Sequence, residues 1–440
     1  MALVITNVRL ALPTQTNNLW RIECSNGRVV STQCLASEDQ LSSPTYINAQ
    51  GSLMLPSLCH SHIHLDKCFI LDRCELSAGS FSEAMQLTNR AKAAFNLDDL
   101  YHRGYKLIRD SLECGVTSMR AHVEIDTVVD FSCLEVGLRL NKIFRDVCDV
   151  QLAAFAQEPL FDAPGATEPG RNYTLLVQAA ETPDIQVVGS APYVEPTTEQ
   201  AKANIGLVLN LAKKCGCHVD FHLDYNLDPA SEPLIYEVIS AAKKLSWARQ
   251  HRITIGHATR LQLFTPDQWV DLISAIGDLP IVFVGLPQSD MYIRGRTLEV
   301  PHLANKYGLD VAMSVNNVQN AFTPQGSVDP LSLCTLGVAL FQSATPNNVR
   351  TLVRSVTLTS KIAIGQKDIH QDLCISTNDP ADFVILHGTP NLQTAVLNPS
   401  YDRTTIRAGT VVARRHTSRW FADSAGIGSS SEIAHSNESN

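Results

Sequence analysis

Eight short apolar runs alternate with helix-like stretches through the middle of this sequence. One of the stretches between them, "SFSEAMQLTNRAKAAF", opens with the S-x-x-E pattern of a helix capping box. Strands that alternate with helices form parallel sheets, and eight such units close into a barrel. The pattern therefore predicts an α/β fold built on a (β/α)8 TIM barrel. The runs cover residues 52–64, 116–125, 150–157, 185–192, 217–224, 252–258, 280–287 and 309–317.

The two ends of the chain carry a different pattern. "LVITNVRLAL" and "LWRIECSNGRVVS" near the start, and "PADFVILHG" and "TTIRAGTVVARR" near the end, are β-like runs with turn signals. We expect residues 1–52 and 377–415 to form a small β-sandwich domain together, with the barrel at 53–376. Residues 421–440 are serine-rich and polar, which predicts a disordered tail.

Composition excludes several classes of function. The net charge is −9, whereas nucleic-acid binders usually carry a basic face, so we expect no nucleic-acid partner. No run of 18 apolar residues is present, and "MALVITNVRL" lacks the pattern of a secretory signal, so we expect no membrane partner. The twelve cysteines form no regular framework and indicate reduced thiols in the cytoplasm.

Polar residues collect at the ends of the apolar runs, where barrel enzymes carry their reactive groups. In "LCHSHIHLDKCF", His62 and His64 are two apart and share one face of a strand, so they can bind one divalent ion. A pair of hydrogen-bonded structural histidines is the alternative. His222 and His257, at the ends of two later runs, weigh against that alternative. His60 shares the same face by parity, and we expect it to lie behind the ligands.

The sequence also resembles a known family over about residues 1–415. "INAQGSLMLPSLCHSHIHLDK", "GVTSMRAHVEID", "QLAAFAQEPLF", "VVGSAPYVE", "HVDFHLDYNLD", "ITIGHATRL" and "GLDVAMSVNNVQNAFTPQG" follow in the order of the amidohydrolase superfamily. They resemble the branch of cytosine deaminases and N-isopropylammelide amidohydrolases. The resemblance implies a barrel with a β-domain split between the two ends. It also implies a metal-dependent hydrolase that acts on non-peptide C–N bonds.

Roles follow from the resemblance position by position. His62, His64 and His222 match three histidines that hold one metal ion, for which zinc or iron is expected. His257 matches the histidine that contacts the activated water or the developing charge. Gln157 matches the glutamine that contacts the substrate ring. A metal ion lowers the pKa of water and supplies a nucleophile at neutral pH.

Two positions depart from the pattern of the deaminases. Tyr225 stands where a proton-carrying Glu follows the third histidine, and Asn316 stands where an Asp binds metal and accepts a proton. An Asn can bind metal through its carbonyl oxygen, so Asn316 is expected as the fourth ligand, but it is not a base. Tyr225 is expected to bind substrate, because a phenol with a pKa near 10 is a poor base.

Other residues could replace the missing proton carriers. Lys67 resembles the lysine of the isopropylammelide branch, and a pKa lowered by a nearby cation would make it an acid or base. A salt-bridged lysine is the alternative. Asp224 shares the side of His222 by parity and is expected as a metal ligand or a base, or as a partner that orients a histidine. Phe322 takes the place of an aromatic beside the substrate, with ordinary packing as the alternative. His122 and Glu124 share a strand face and could line the pocket.

Three functions remain open at this point. The first is hydrolysis of a C–N bond in a small cyclic amide or aminated heterocycle other than cytosine. The second is a repurposed cyclase, isomerase or lyase in small-molecule biosynthesis, as in secondary metabolism. The third is a catalytically inactive binding protein. A small-molecule substrate is expected. By analogy with the family, the protein could also form a homo-oligomer.

Overall fold

The structure, a computed structural model, describes residues 3–12, 17–38, 46–418 and 420. The segment 421–440, for which the sequence predicts disorder, lies outside the described residues. The strands are β1 (Leu3–Leu10), β2 (Leu19–Ser25), β3 (Arg28–Leu35), β4 (Tyr46–Asn48), β5 (Leu53–Pro56), β6 (Leu58–His64), β7 (Val116–Glu124), β8 (Asp149–Ala156), β9 (Val187–Ser190), β10 (His218–Leu223), β11 (Ile253–His257), β12 (Ile281–Gly285), β13 (Val311–Met313), β14 (Phe383–Leu386), β15 (Arg403–Arg407) and β16 (Thr410–Arg415).

Helices fill the intervals between the barrel strands and extend beyond the last of them. The α-helices are α1 (Phe81–Lys92), α2 (Leu97–Glu113), α3 (Ser132–Phe144), α4 (Arg171–Ala180), α5 (Thr198–Cys215), α6 (Ile235–Lys244), α7 (Pro266–Ile276), α8 (Pro287–Arg294), α9 (Val300–Tyr307), α10 (Pro330–Leu340), α11 (Pro346–Ser355), α12 (Leu358–Ala363) and α13 (Leu392–Leu397). No helix among the described residues is long and apolar enough to cross a membrane.

Strands β6 to β13 form one parallel sheet in which neighbours along the chain are neighbours in space. The first and last strands meet through backbone hydrogen bonds that include the candidate site. The N–H of His64 donates to the carbonyl of Asn316 at 2.8 Å, and the N–H of Asn316 donates to the carbonyl of His62 at 3.1 Å. These bonds close the ring, so the predicted barrel is confirmed. They also fix the backbone of the strand-eight motif against the histidine motif of strand one.

A second sheet joins the two ends of the chain, in the order β16-β15-β14-β5-β1-β2-β3, with β4 paired to β1. Leu53 of β5 lies opposite Leu386 of β14 in an antiparallel pair. This sheet has its own apolar core, which includes Ile5, Phe383 and Ile406 and is separate from the barrel core. The predicted small β-domain assembled from both ends is therefore confirmed as a feature of the fold. The predicted domain boundaries remain predictions.

Helix α1 begins as its sequence pattern indicates, with one difference. The Ser80 side chain accepts the N–H of Glu83, which is one half of a capping box. The Glu83 carboxylate turns instead to the preceding loop, where it accepts the backbone N–H groups of Ser77, Ala78 and Gly79. Glu83 thereby holds the loop that leads into α1, and the first residue of α1, Phe81, reaches the candidate site.

Candidate active site

A small pocket lies at the C-terminal ends of the barrel strands. It has a volume of about 20 Å³, enough for one water molecule. A ring-shaped ligand therefore needs some of the lining side chains to move outward. The pocket brings together most of the predicted ligands and substrate-binding residues. It is lined by His64, Lys67, Gln157, Tyr193, His222, Tyr225, His257, Asn316, Asn317 and Phe322.

A much larger cavity, of about 770 Å³, lies at the other end of the barrel. Its lining includes Asp149 and His218, which begin strands β8 and β10, and Arg407 of the end-segment sheet. The predicted metal ligands and proton carriers are absent from its described lining. Size therefore does not identify the site in this protein. Active sites of TIM barrels lie at the C-terminal ends of the strands, which favours the small pocket.

The predicted metal ligands converge on this pocket and on the space beneath it. The ring centroid of His62 lies 5.6 Å from that of His64 and 4.4 Å from that of His222. Both ring nitrogens of His62, Nε2 of His222 and Oδ1 of Asn316 are buried and have no hydrogen-bond partner among the described residues. An unsatisfied buried polar atom costs about 1–3 kcal/mol. A cation that accepted one lone pair from each of these side chains would remove most of that cost, so the set of ligand atoms fits a divalent metal ion.

Burial keeps these histidines in the form that binds metal. It lowers the pKa of His62, His64 and His222 well below the ordinary value of a histidine, and neighbouring imidazoles lower it further. A neutral imidazole has a free lone pair, and protonation would remove it. The three rings are therefore ready to accept a metal ion at neutral pH.

Asp220 is a site residue that the sequence analysis missed. One atom each from His62, His122, Asp220 and His222 lies within 4.8 Å of the others, and all four residues are buried. Oδ1 of Asp220 is 3.3 Å from Nε2 of His122 and 3.8 Å from Nδ1 of His62. Its Oδ2 pairs with Arg120 at 2.9 Å. Asp220 precedes His222 by two on β10, so the parity that placed the histidines together could have revealed it.

His257 is held by a carboxylate behind it. Its Nδ1 lies 2.7 Å from Oδ1 of Asp290, and both side chains are buried. The other oxygen of Asp290 accepts the N–H of Leu286 and the hydroxyl of Thr297. With a proton on Nδ1, His257 donates to Asp290 and presents the lone pair of Nε2, which is the arrangement that orients an imidazole for proton transfer.

Tyr225 packs flat against His257. The ring centroids are 3.8 Å apart at an interplanar angle of 25°. Burial raises the pKa of Tyr225 well above its ordinary value, so it stays protonated at neutral pH. Its hydroxyl lies 3.4 Å from the carbonyl of Ser289, to which it donates. Tyr225 thus forms one wall of the pocket.

Aromatic side chains also close the mouth of the pocket. Phe81 of α1 lies edge-on to Tyr193, Tyr225 and Phe322, with ring centroids 5.7–6.0 Å apart. The Arg294 guanidinium lies 4.3 Å from the centroid of Phe81. Three of these rings line the pocket, and a planar ligand would stack against them once the side chains had moved outward. Phe322 is placed beside the pocket, where the sequence analysis expected it.

Lys67 projects into the pocket from the turn after β6. Its Nζ donates to Oε1 of Gln157 at 3.3 Å and lies 3.2 Å from Oε2 of Glu124. Burial would lower the pKa of Lys67, but the charges of Glu124 and Asp66 raise it above its ordinary value. The sequence analysis expected a lowered pKa. The difference arises because two carboxylates surround the amine, so Lys67 is a cationic donor at neutral pH.

Asp224 does not join the site residues around the pocket. Its carboxylate accepts the backbone N–H groups of Leu234 and Ile235, at 2.8 and 3.1 Å. Strand β10 ends at Leu223, and Asp224 has a φ of 50°, so the alternation of the strand no longer applies to it. Burial raises its pKa to about 6. The Asp224 carboxylate accepts hydrogen bonds at the N-terminus of α6. This placement gives no support to its predicted role as a metal ligand or a base.

Comparison with known proteins finds chains of similar sequence and similar fold. No family model matches the chain. N-isopropylammelide isopropyl amidohydrolase of Pseudomonas sp. (strain ADP) is 21% identical over 387 residues, which are 84% of this chain and 88% of that protein. The structure of 5-methylcytosine deaminase from Klebsiella pneumoniae has a TM-score of 0.83 at 23% identity, covering 96% of this chain and 100% of that one. An adenosine deaminase from Xanthomonas campestris with bound zinc has a TM-score of 0.67 at 16% identity, covering 93% and 92%.

The barrel and the end-segment sheet match the fold of these proteins, and the predicted resemblance to the amidohydrolase superfamily is confirmed in sequence and in fold. The likeness is to proteins of the branch that includes N-isopropylammelide amidohydrolases and cytosine deaminases. The cluster of His62, His122, Asp220 and His222 can hold a metal ion.

Proposed function

We propose that this protein is a metal-dependent amidohydrolase that cleaves a C–N bond in a small cyclic amide or aminated heterocycle, and that ordinary cytosine deamination is not its reaction. The observation that carries the proposal is the convergence of predicted metal ligands, Lys67 and Gln157 on one buried pocket with aromatic walls. Relatives named for amidohydrolysis and deamination support the reaction class.

We assign the metal to His62, His64 and His222, with the carbonyl oxygen of Asn316 as the fourth ligand. The unpartnered buried nitrogens of His62 and His222 and the unpartnered Oδ1 of Asn316 support three members of this set, and His64 lines the same pocket. A zinc or iron ion held there would activate water and polarise the bond under attack. A neutral Asn leaves the site without the carboxylate that usually accepts the proton.

Proton handling then rests on His257 and Lys67. Tyr225 is protonated and stacked, Asn316 is not a base, and Asp224 is engaged by backbone amides. His257, oriented by Asp290, is placed to accept a proton through Nε2. Lys67 carries a proton and a positive charge, so it can donate to a leaving amine or pair with a ring oxygen.

The pocket also suggests how a substrate ring is held. Gln157 accepts from Lys67 through Oε1 and donates from Nε2 to the hydroxyl of Tyr193 at 3.3 Å. A substrate with a carbonyl beside a ring nitrogen could replace either contact. Tyr225 and Phe322 supply flat faces on which such a ring would stack. These features favour a small planar heterocycle.

Product analysis tests the proposal. Zinc- or iron-loaded protein is incubated with a panel of aminated and N-alkylated pyrimidines and triazines, and ammonia, amine and product mass are measured. Release of ammonia or amine, lost in His257→Asn, supports the proposal. No release from any member of the panel, together with a product of unchanged mass or loss of carbon dioxide, would instead favour a cyclase, isomerase or lyase.

A catalytically inactive binding protein is the remaining alternative. The changes at Tyr225 and Asn316 are the observations that favour it. Metal analysis separates it from the enzymes, because an inactive protein has no need of a stoichiometric ion. Failure to bind metal, with an unchanged biological role in His62→Ala, would exclude the enzymatic functions. The cytoplasmic location and the homo-oligomer stay predictions.

A further inference from the structure

Lys92, the last residue of α1, lies in a cage of three carboxylates. Its Nζ is 2.6 Å from Oε1 of Glu124, 2.6 Å from Oδ2 of Asp126 and 3.1 Å from Oε1 of Glu158. The Lys92 side chain is 1% exposed. The three carboxylates offer oxygens within 4.8 Å of one another, close enough to share a single cation. The ammonium group of Lys92 is that cation.

Glu124 connects this cage to the pocket. Its Oε1 binds Lys92, while its Oε2 lies 3.2 Å from Nζ of Lys67, which lines the pocket. Glu124 is 2% exposed. Its Oε2 forms an ion pair with Lys67, but among the described residues no donor is aligned for a hydrogen bond with it. The contact with Lys92 therefore sets the orientation of the Glu124 carboxylate. That orientation determines how close the negative charge of Oε2 lies to the ammonium group of Lys67.

We propose that Lys92 is a positioning residue for the pocket: by fixing Glu124, it holds the Lys67 ammonium against Gln157 and toward the substrate. The proposal rests on the proposed function for its catalytic meaning, since it deepens the role given there to Lys67. The structural part of the proposal is that Lys92 positions Lys67 through Glu124, and this part can be tested without a known substrate.

Charge gives the reason for a lysine at this position. Two lysines and three carboxylates leave the cluster with one excess negative charge. If Lys92 were lost, Lys67 would be the only cation left in this cluster to balance its three carboxylates. Buried carboxylates at this spacing repel each other strongly. Glu124 would turn toward Lys67, and the Lys67 ammonium would be drawn away from Gln157 toward the carboxylates.

Competitive acylation tests the proposal without a substrate. Native protein and Lys92→Met are treated with a trace of acetic anhydride, and modification of each lysine is measured by mass spectrometry. Lys361 is the internal reference, because it is also buried and its Nζ donates to Ser57 at 2.9 Å in another part of the barrel. Lys106→Met is the matched control, since this exposed lysine pairs with Asp110 on α2.

The expected result is that Lys92→Met lowers acylation of Lys67 about tenfold, because an ammonium that faces three carboxylates without a second cation holds its proton more tightly, and that Lys361 is unchanged. Lys106→Met should change neither. Unchanged acylation of Lys67 in folded Lys92→Met would overturn the proposal, and so would an equal change at Lys361, because it indicates a general change in the structure. If Lys92→Met does not fold, the charge-balanced Lys92→Met/Asp126→Asn pair is measured with the same criteria.

The readout is independent of hydrolysis. If Lys67 responds as expected but no heterocycle is turned over, the positioning role stands and the proposed function fails. If heterocycles are hydrolysed but Lys67 acylation is unaffected by Lys92→Met, the proposed function stands and the positioning role fails.

Discussion

Replacing Asn316 with Asp introduces a carboxylate at the position proposed for the fourth metal ligand. Asn316 is 2% exposed, its Nδ2 donates to Oγ of Ser289 at 2.7 Å, and its Oδ1 has no partner among the described residues. In metal-free protein the variant buries a charge, which costs several kcal/mol before relaxation. Because Ser289 can turn its hydroxyl to donate, we expect about 2–4 kcal/mol of destabilisation.

The same carboxylate should bind a divalent ion better than the amide does. If the metal removes the whole penalty, zinc affinity rises by about 30- to 700-fold, because each 1.4 kcal/mol is about a factor of ten. The assays are urea unfolding of chelated and zinc-loaded protein, and zinc competition against a chelating dye. Asn317→Asp is the control, since Asn317 also lines the pocket and its Oδ1 already accepts from Asn320 at 2.8 Å.

Asn316→Asp is therefore expected to have lower stability without metal and higher zinc affinity. Equal zinc affinity in Asn316→Asp, Asn317→Asp and native protein would falsify the placement of Asn316 as a ligand. If the variant also gains deaminase-like activity, the missing carboxylate limits proton transfer in the native protein.

Three further changes test other parts of the site. Asp290→Asn should lower kcat/KM about 100-fold at unchanged metal content, because a neutral amide stabilises a protonated His257 poorly and its NH2 group must face either His257 or the donors of Leu286 and Thr297; activity within twofold of native would contradict this. Gly256→Ala should weaken zinc binding about 10- to 100-fold, because the added Cβ would lie 2.9 Å from Cε1 of His62, and dye competition measures it. Asp99 has a pKa of about 2, since two arginines outweigh the effect of burial. Its ionised form stabilises the fold above the unfolded pKa near 4, and this stabilisation is lost as the pH falls toward 2. Asp99→Asn should therefore cost about 1–2 kcal/mol at pH 7 and little at pH 2 by urea unfolding.

The sequence contained enough to place the barrel and most of the site. Period-two spacing put His62 and His64 on one face, and the alternation of strands and helices put His222 and His257 at the same end. These inferences depend only on regular strand geometry and on the order of the strands, so they carry over to the folded chain.

The differences arise where regular geometry stops. Asp224 follows the last residue of β10 and has a positive φ, so parity with His222 gave no guide to its direction. The pKa of Lys67 depends on Glu124, which lies far along the chain and meets it only through packing. The same two-residue spacing could have placed Asp220 beside His222. An acidic residue inside an apolar strand does not by itself predict a role, however, and the ion pair with Arg120 that explains its burial is visible only in the structure.

The pairing of Leu53 with Leu386 has a consequence for how the protein is made. On a ribosome that adds about 5–20 residues per second, the amino-terminal strands wait on the order of 15–70 s before their partners exist. During that time β5 exposes an unpaired edge beside a barrel that is itself incomplete. A nascent chain of this kind is a natural client for chaperones, and truncation after the barrel should yield aggregates.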